Sequence, residues 1–316
     1  MKQILSILRK PLLFLLLLIV PTLLFSCWDD DQLPVDDPTP TASISLTQDG
    51  LMHEFVFNGY EPLQAKPINV FYYIPLGGDM ATMPILFIFP GESRDADTHL
   101  ELFTSWAAQN KVMLFALSFP TTYYSSTTEY ILGGMNTRQS AEGLLPRSQW
   151  NFNYVETLFD EIRLFTHSTR TTYDMWGHSA GAQYVHRYVT FMPNARVDRA
   201  VVCNSGWFTV ADINKTFPYG LSPVEGVSAS YQQILFARKM FVYVGSNDTS
   251  TEGLNTNPGS VEQGNNRKER GTYYYNRSQE LAQQLGFQFN WRFGQVTGVA
   301  HEAGGMARGT MQLLVH

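Results

Sequence analysis

The spacing of apolar residues changes along this chain, and the change predicts its architecture. Ile44–Thr47, His53–Asn58 and Ile68–Ile74 alternate apolar with polar positions, which predicts antiparallel strands with one face in water. Further on come short unbroken apolar runs: Ile85-Leu86-Phe87-Ile88-Phe89, Val112–Leu117, Ala200–Cys203 and Met240–Val244. Strands covered on both faces have this composition, so these runs predict a parallel sheet. Between them, Asp97–Gln109, Tyr154–Phe165, Ala180–Phe191, Gln232–Lys239 and Tyr273–Leu285 place apolar residues three and four apart, as helices packed on a sheet do. Strand and helix alternate, so the reading is an α/β fold: a mostly parallel central sheet flanked by helices. Ligands then bind at the carboxyl ends of the strands.

The first 42 residues follow a different logic. Lys2, Arg9 and Lys10 precede the apolar run Pro11–Phe25, and the small Ser26 precedes Cys27. A basic start, a short apolar run and a small residue make a secretory signal over residues 1–26; the run is shorter than the roughly 20 residues a spanning helix needs. Leu24-Phe25-Ser26-Cys27 resembles a bacterial lipobox, which implies that Cys27 is lipidated and becomes the mature N-terminus. The next residues, Trp28-Asp29-Asp30-Asp31, resemble the surface-export signal of Bacteroidetes lipoproteins. Residues 27–42 are rich in Asp, Pro and Thr and read as a flexible tether, leaving 43–316 for the folded domain. The expectation is an exported protein, lipid-anchored to the outer membrane and open to display at the cell surface.

Composition narrows the function. Apolar residues make up 44% of the chain and charged residues 16%, enough for a substantial core. A net charge of −6 excludes a protein built to neutralise phosphates, so no nucleic-acid partner is expected. Cys27 and Cys203 cannot supply a disulfide framework. No histidine or carboxylate pair has the spacing of a known metal motif, and the sequence implies no cofactor.

The chemistry gathers around Gly177-His178-Ser179-Ala180-Gly181, which follows the strand-like Tyr173-Asp174-Met175-Trp176 and leads into a helical pattern. A serine on a tight strand-to-helix turn between glycines is a nucleophile elbow, and Ser179 is its nucleophile. A serine hydroxyl needs a base, and the base an orienting acid. Asp248, in the loop after the run Met240–Val244, stands where the acid belongs. His301 stands where the base belongs, after the strand-like Phe289–Val296. His178 adjoins the nucleophile but is read as pointing away; His53, His99, His167, His186 and His316 fit the base position less well. The oxyanion donors are expected to be the backbone amides of Ala180, after the nucleophile, and of Glu92, in Phe89-Pro90-Gly91-Glu92-Ser93. The Glu92 side chain is read as solvated or salt-bridged.

This layout resembles the α/β-hydrolase fold over about residues 65–310. Within it the chain is similar to the secreted polyhydroxybutyrate depolymerase and feruloyl esterase group, on the strength of the elbow, Cys203-Asn204-Ser205-Gly206 and Gly298-Val299-Ala300-His301. The turn Phe89-Pro90-Gly91 departs from the His-Gly of that group, and its disulfides are absent. Thr121–Trp150 and Trp207–Ser230 interrupt the strand–helix alternation and are rich in aromatic residues; they are expected to cap the serine, with Trp150, Trp207 and Tyr124 walling a substrate pocket. The resemblance implies cleavage of a carboxylic ester, including acyl, feruloyl or acetyl esters on polysaccharide, through an acyl-enzyme. A serine peptidase of the same fold and a non-catalytic binding lipoprotein stay open beside it.

Overall fold

The computed structural model describes residues 43–315; the expected signal, lipobox and tether lie outside them. In chain order the elements are β1 (Met52–Phe57), β2 (Ile68–Tyr73), β3 (Ile85–Phe89), α1 (Ala96–Asn110), β4 (Met113–Ser118), α2 (Thr127–Ile131) and α3 (Asn153–Thr166). There follow β5 (Tyr173–His178), α4 (Ala180–Phe191), β6 (Val197–Cys203), α5 (Ala229–Ala237), β7 (Lys239–Gly245), α6 (Pro258–Val261), α7 (Arg267–Leu285), β8 (Arg292–Val296) and α8 (Ala303–Thr310). The strands form one sheet in the order β1-β2-β4-β3-β5-β6-β7-β8. β2 runs antiparallel to both β1 and β4, and from β4 to β8 every pairing is parallel.

The unbroken apolar runs divide by alternate residues between two cores. Ile85, Phe87 and Phe89 of β3 enter one cluster, and Leu86 and Ile88 the other. Met113, Phe115 and Leu117 of β4 likewise face away from Leu114 and Ala116. A side-chain period of two puts neighbours on opposite faces, so a strand covered on both sides must be apolar throughout. On one face the cover comes from α1, through Leu100, Phe103 and Ala107, and from α8, through Met306 and Ala307. On the other it comes from α3, α4, α5 and α7.

Two expectations about elements need correction. Ile44–Thr47 is not a strand: Ile44 and Leu46 are buried and Ser45 and Thr47 are exposed, as the alternation implies, yet no ladder forms there. The Thr47 N–H instead donates to the Tyr72 hydroxyl at 3.2 Å. Alternation sorts residues into wet and dry, but a strand also needs a ladder partner, and β2, whose Tyr72 this segment contacts, is already paired on both sides by β1 and β4. α7 begins six residues earlier than its apolar spacing suggests, because Asn266 caps it by accepting from the Glu269 N–H at 2.9 Å. Among the described residues no helix is long and apolar enough to cross a membrane.

α4 is buried on every side, between the sheet and the segments that interrupt the alternation. Its polar residues are therefore paired inside the protein. His186 donates from Nδ1 to the Ala182 carbonyl at 2.9 Å and accepts the Thr209 N–H at Nε2 at 3.1 Å, which defines a neutral tautomer. Burial pushes this imidazole well below its ordinary range. The unfolded chain protonates it near pH 6.5 and the folded chain does not, so unfolding takes up a proton below that pH. Stability is expected to fall as the pH drops through 6.5, by up to about 1.4 kcal/mol per pH unit for this residue. Urea unfolding of wild type and His186→Gln between pH 7.5 and 5 measures the slope, which should be shallower in the variant.

The aromatic side chains of these segments are mostly packing. Trp150 is 3% exposed, donates its indole N–H to the Leu145 carbonyl at 2.8 Å and carries the Arg147 guanidinium 4.5 Å above its ring. Trp150→Ala is expected to cost roughly 3–5 kcal/mol of stability, read as a lower urea midpoint at unchanged slope.

Candidate active site

β5 ends in Gly177-His178, and α4 starts at Ala180, so Ser179 takes the whole turn. It does so at φ 55° and ψ −114°, a conformation that costs a non-glycine residue of order 1–3 kcal/mol and lifts the side chain off the sheet. The neighbouring chain leaves no room for larger residues. A Cβ on Gly181 would lie 2.0 Å from the Phe89 carbonyl oxygen, and one on Gly177 would lie 2.4 Å from the Gly181 oxygen. The Ser179 N–H is tied to the Cys203 carbonyl at the end of β6 at 3.0 Å.

Three strand ends meet over this serine. His301 Nε2 lies 3.0 Å from Ser179 Oγ, and its Nδ1 lies 2.8 Å from Asp248 Oδ2. A carboxylate only accepts, so Nδ1–H donates to Asp248 and Nε2 is left to accept the serine O–H. The Asp248 side chain is fully buried and that of His301 is 30% exposed. The sequence reading named these three residues, and the fold brings them within hydrogen-bond distance of each other.

Asn204, noted in the sequence only as part of a motif, holds the loops in place. It is fully buried, accepts the Gly245 N–H at 2.7 Å and donates to the Ala300 carbonyl at 2.9 Å. One side chain thus joins the end of β6 to the end of β7 and to the residue before His301. The Asn247 N–H adds a bond to the Val299 carbonyl at 2.8 Å, and the Gly298 N–H one to Ser246 Oγ at 2.8 Å.

His178 is not turned away from this group. Its ring centroid lies 4.8 Å from that of His301, with His99 behind it at 6.3 Å. Burial first, then the nearby His301, His99 and Arg267, hold its imidazole well below the ordinary histidine range. It is a neutral, apolar-like floor under His301.

The turn after β3 closes the other side. The Arg94 N–H bonds the Gly91 carbonyl at 3.1 Å, and a Cβ on Gly91 would sit 3.8 Å from Ser179 Cβ, so this turn lies against the nucleophile. Glu92, Ser179 and Ala180 line one cavity of about 450 Å³. The Glu92 side chain is exposed, as the solvated reading expected, and its carboxylate accepts the Thr127 hydroxyl at 2.6 Å.

The wall of the cavity corrects the aromatic expectation. Trp207 lines it, but Trp150 and Tyr124 do not. Tyr124 is 1% exposed with its hydroxyl on the Lys66 carbonyl, and burial raises its pKa well above the usual tyrosine range. The remaining wall is largely polar, with Gln139, Gln183, Asn255, Asn257 and Arg267. Gln139 Oε1 accepts from Asn255 Nδ2 at 2.5 Å and from Asn257 Nδ2 at 3.1 Å, which joins the two segments across the opening. Gln139, Asn255 and Asn257 stand in irregular stretches and Gln183 and Arg267 on helices, but none belongs to a recognised motif, so sequence reading passed them over. Among the described residues no group of three or more His, Cys, Asp or Glu is placed to hold a metal ion.

No protein-family model matches the chain, and no curated protein does. Solved structures do. Poly(aspartic acid) hydrolase-1 from Sphingomonas sp. KT-1 superposes with a TM-score of 0.78 at 31% identity, over 84% of this chain and 98% of that one. The poly(3-hydroxybutyrate) depolymerase LpqC from Bordetella parapertussis gives 0.77 at 24% identity, over 84% and 90% of the two chains. An IroE-like serine hydrolase from Shewanella oneidensis gives 0.51 at 12%, over 83% and 80%. The last two share the fold; the first, at its identity and coverage, establishes kinship. The chain belongs to the α/β-hydrolase superfamily, in the group of hydrolases that includes poly(aspartic acid) hydrolase-1.

Proposed function

We propose that the chain hydrolyses a carboxylic ester through an acyl-enzyme on Ser179. The observation that carries this reading is the bridge from Ser179 through His301 to Asp248, at 3.0 and 2.8 Å. His301 Nε2 takes the Ser179 proton as Oγ attacks the ester carbonyl. The same proton then passes to the departing alcohol as the tetrahedral adduct collapses. Water, deprotonated by His301, next attacks the acyl-enzyme and releases the carboxylic acid and free Ser179. Asp248 keeps His301 in the tautomer that leaves Nε2 free to accept, and stabilises the imidazolium. The backbone amides of Ala180 and Glu92, on either side of Ser179, supply the oxyanion donors, each contributing roughly 3 kcal/mol to the barrier reduction.

Acyl or acetyl esters on polysaccharide suit the cavity better than feruloyl esters, since Trp207 is the one of the expected aromatic wall residues that reaches it. Kinship with poly(aspartic acid) hydrolase-1 favours a second reading, cleavage of an amide by the same steps. Parallel rates on acyl p-nitrophenyl esters and p-nitroanilides separate the two.

A fluorophosphonate probe should label wild type and fail on Ser179→Ala. Asp248→Asn should stay folded and lower kcat about 10⁴-fold, because the wrong histidine tautomer is then favoured. An unlabelled wild type would instead leave a binding lipoprotein on a hydrolase scaffold.

We further propose that the enzyme works outside the cytoplasm on a lipid at Cys27, on the strength of the lipobox-like Leu24-Phe25-Ser26-Cys27. In cells fed an alkyne fatty acid, wild type should take up label and fractionate with membranes, and Cys27→Ser should do neither.

A further inference from the structure

Three arginines surround the serine cavity, and their donors are used very differently. Arg270 is 2% exposed and spends its guanidinium on the carbonyls of Gly264, Gly206 and Asn255, at 2.9, 2.7 and 2.8 Å. Arg187 is fully buried, 3.9 Å over the Trp207 ring, and bonds the Ile131 and Gln183 carbonyls and the Thr209 hydroxyl. Both brace residues of the cavity wall from behind, and neither is salt-bridged to a carboxylate among the described residues.

Arg267, the first residue of α7, is itself part of the wall. Its side chain is only 11% exposed, and its guanidinium makes no hydrogen bond among the described residues; its Nε is buried without a partner. The carboxylate paired with it, Asp248, presents Oδ1 at 3.8 Å, an ion pair beyond hydrogen-bond distance, while its Oδ2 accepts from His301. The carboxylate on the wall, Glu92, is held by Thr127. A guanidinium withdrawn from water is costly unless its donors are met, and its planar fork matches a carboxylate. Positive charge behind the wall and unspent donors on it together select an anion.

Building on the hydrolase reading above, we propose that Arg267 receives a carboxylate carried by the substrate, so that the enzyme's substrates are acidic acyl compounds rather than neutral fatty esters. Gln139, Asn255 and Asn257 stand on the same wall to bond the rest of a polar substrate.

The test compares kcat/KM for p-nitrophenyl butyrate, neutral, with p-nitrophenyl hemisuccinate, which carries the carboxylate on the acyl side. 4-Carboxyphenyl butyrate, against phenyl butyrate, places it on the leaving group. Wild type should prefer the acid in at least one arm by about 10- to 100-fold, and the preferring arm tells which side Arg267 reads. Arg267→Gln should bring that ratio close to one, while Arg267→Lys keeps part of it. The preference should shrink as salt rises. Neutral fluorophosphonate labelling of each variant reports a folded, working serine independently of charge. Without labelling of wild type the hydrolase reading fails. With labelling but no acid preference in either arm, or with the preference intact in Arg267→Gln, the carboxylate site is overturned.

Discussion

The site depends on how closely the first turn of α4 approaches the end of β3. With 2.0 Å between the place a Gly181 Cβ would take and the Phe89 oxygen, helix and strand meet backbone to backbone. That approach sets Ser179 on a turn at positive φ, beside the Gly91–Arg94 turn that follows β3. The helix start, the nucleophile and the neighbouring amide turn are therefore one construction. None of them can move without the others, which is what a preorganised site requires.

The second constraint is on the loops. Asp248 and His301 lie on connections after β7 and β8, and loops alone would leave them free to drift. Asn204 prevents this from within the sheet end, by bonding both loops with one buried amide. The rigid scaffold thus extends a few residues past the strand ends, up to the reacting groups. His178 completes the packing under His301, and its burial in the neutral form means that it adds no positive charge beside the imidazolium formed in the reaction.

The polarity of the cavity follows from what surrounds it. α4 is buried on all sides and carries Arg187 and Gln183 toward the cap, so the cap packs against polar groups as well as rings. Its aromatic residues, Tyr124, Tyr130 and Trp150 among them, settle into the core beneath, and amides face the opening. Aromatic composition in a loop reports that the loop is packed, and says little about which side of it faces a ligand.

Much of this was legible in the sequence, and for identifiable reasons. Ile85–Phe89 had to be a doubly covered strand because every residue in it is apolar, and Gly177–Gly181 between strand and helix had to be a tight turn. The order of Ser179, Asp248 and His301 follows from which strand each one ends, so pattern and topology together were enough to name them. Ile44–Thr47 shows the limit: its alternation marked the buried residues, but pairing depends on a partner that local pattern does not contain. Asn204, His178 and Arg267 were out of reach for the same reason. What each does is defined by groups far off in the chain, the Ala300 carbonyl, the His301 ring and the Asp248 carboxylate, which only the closed tertiary structure brings within a few ångströms.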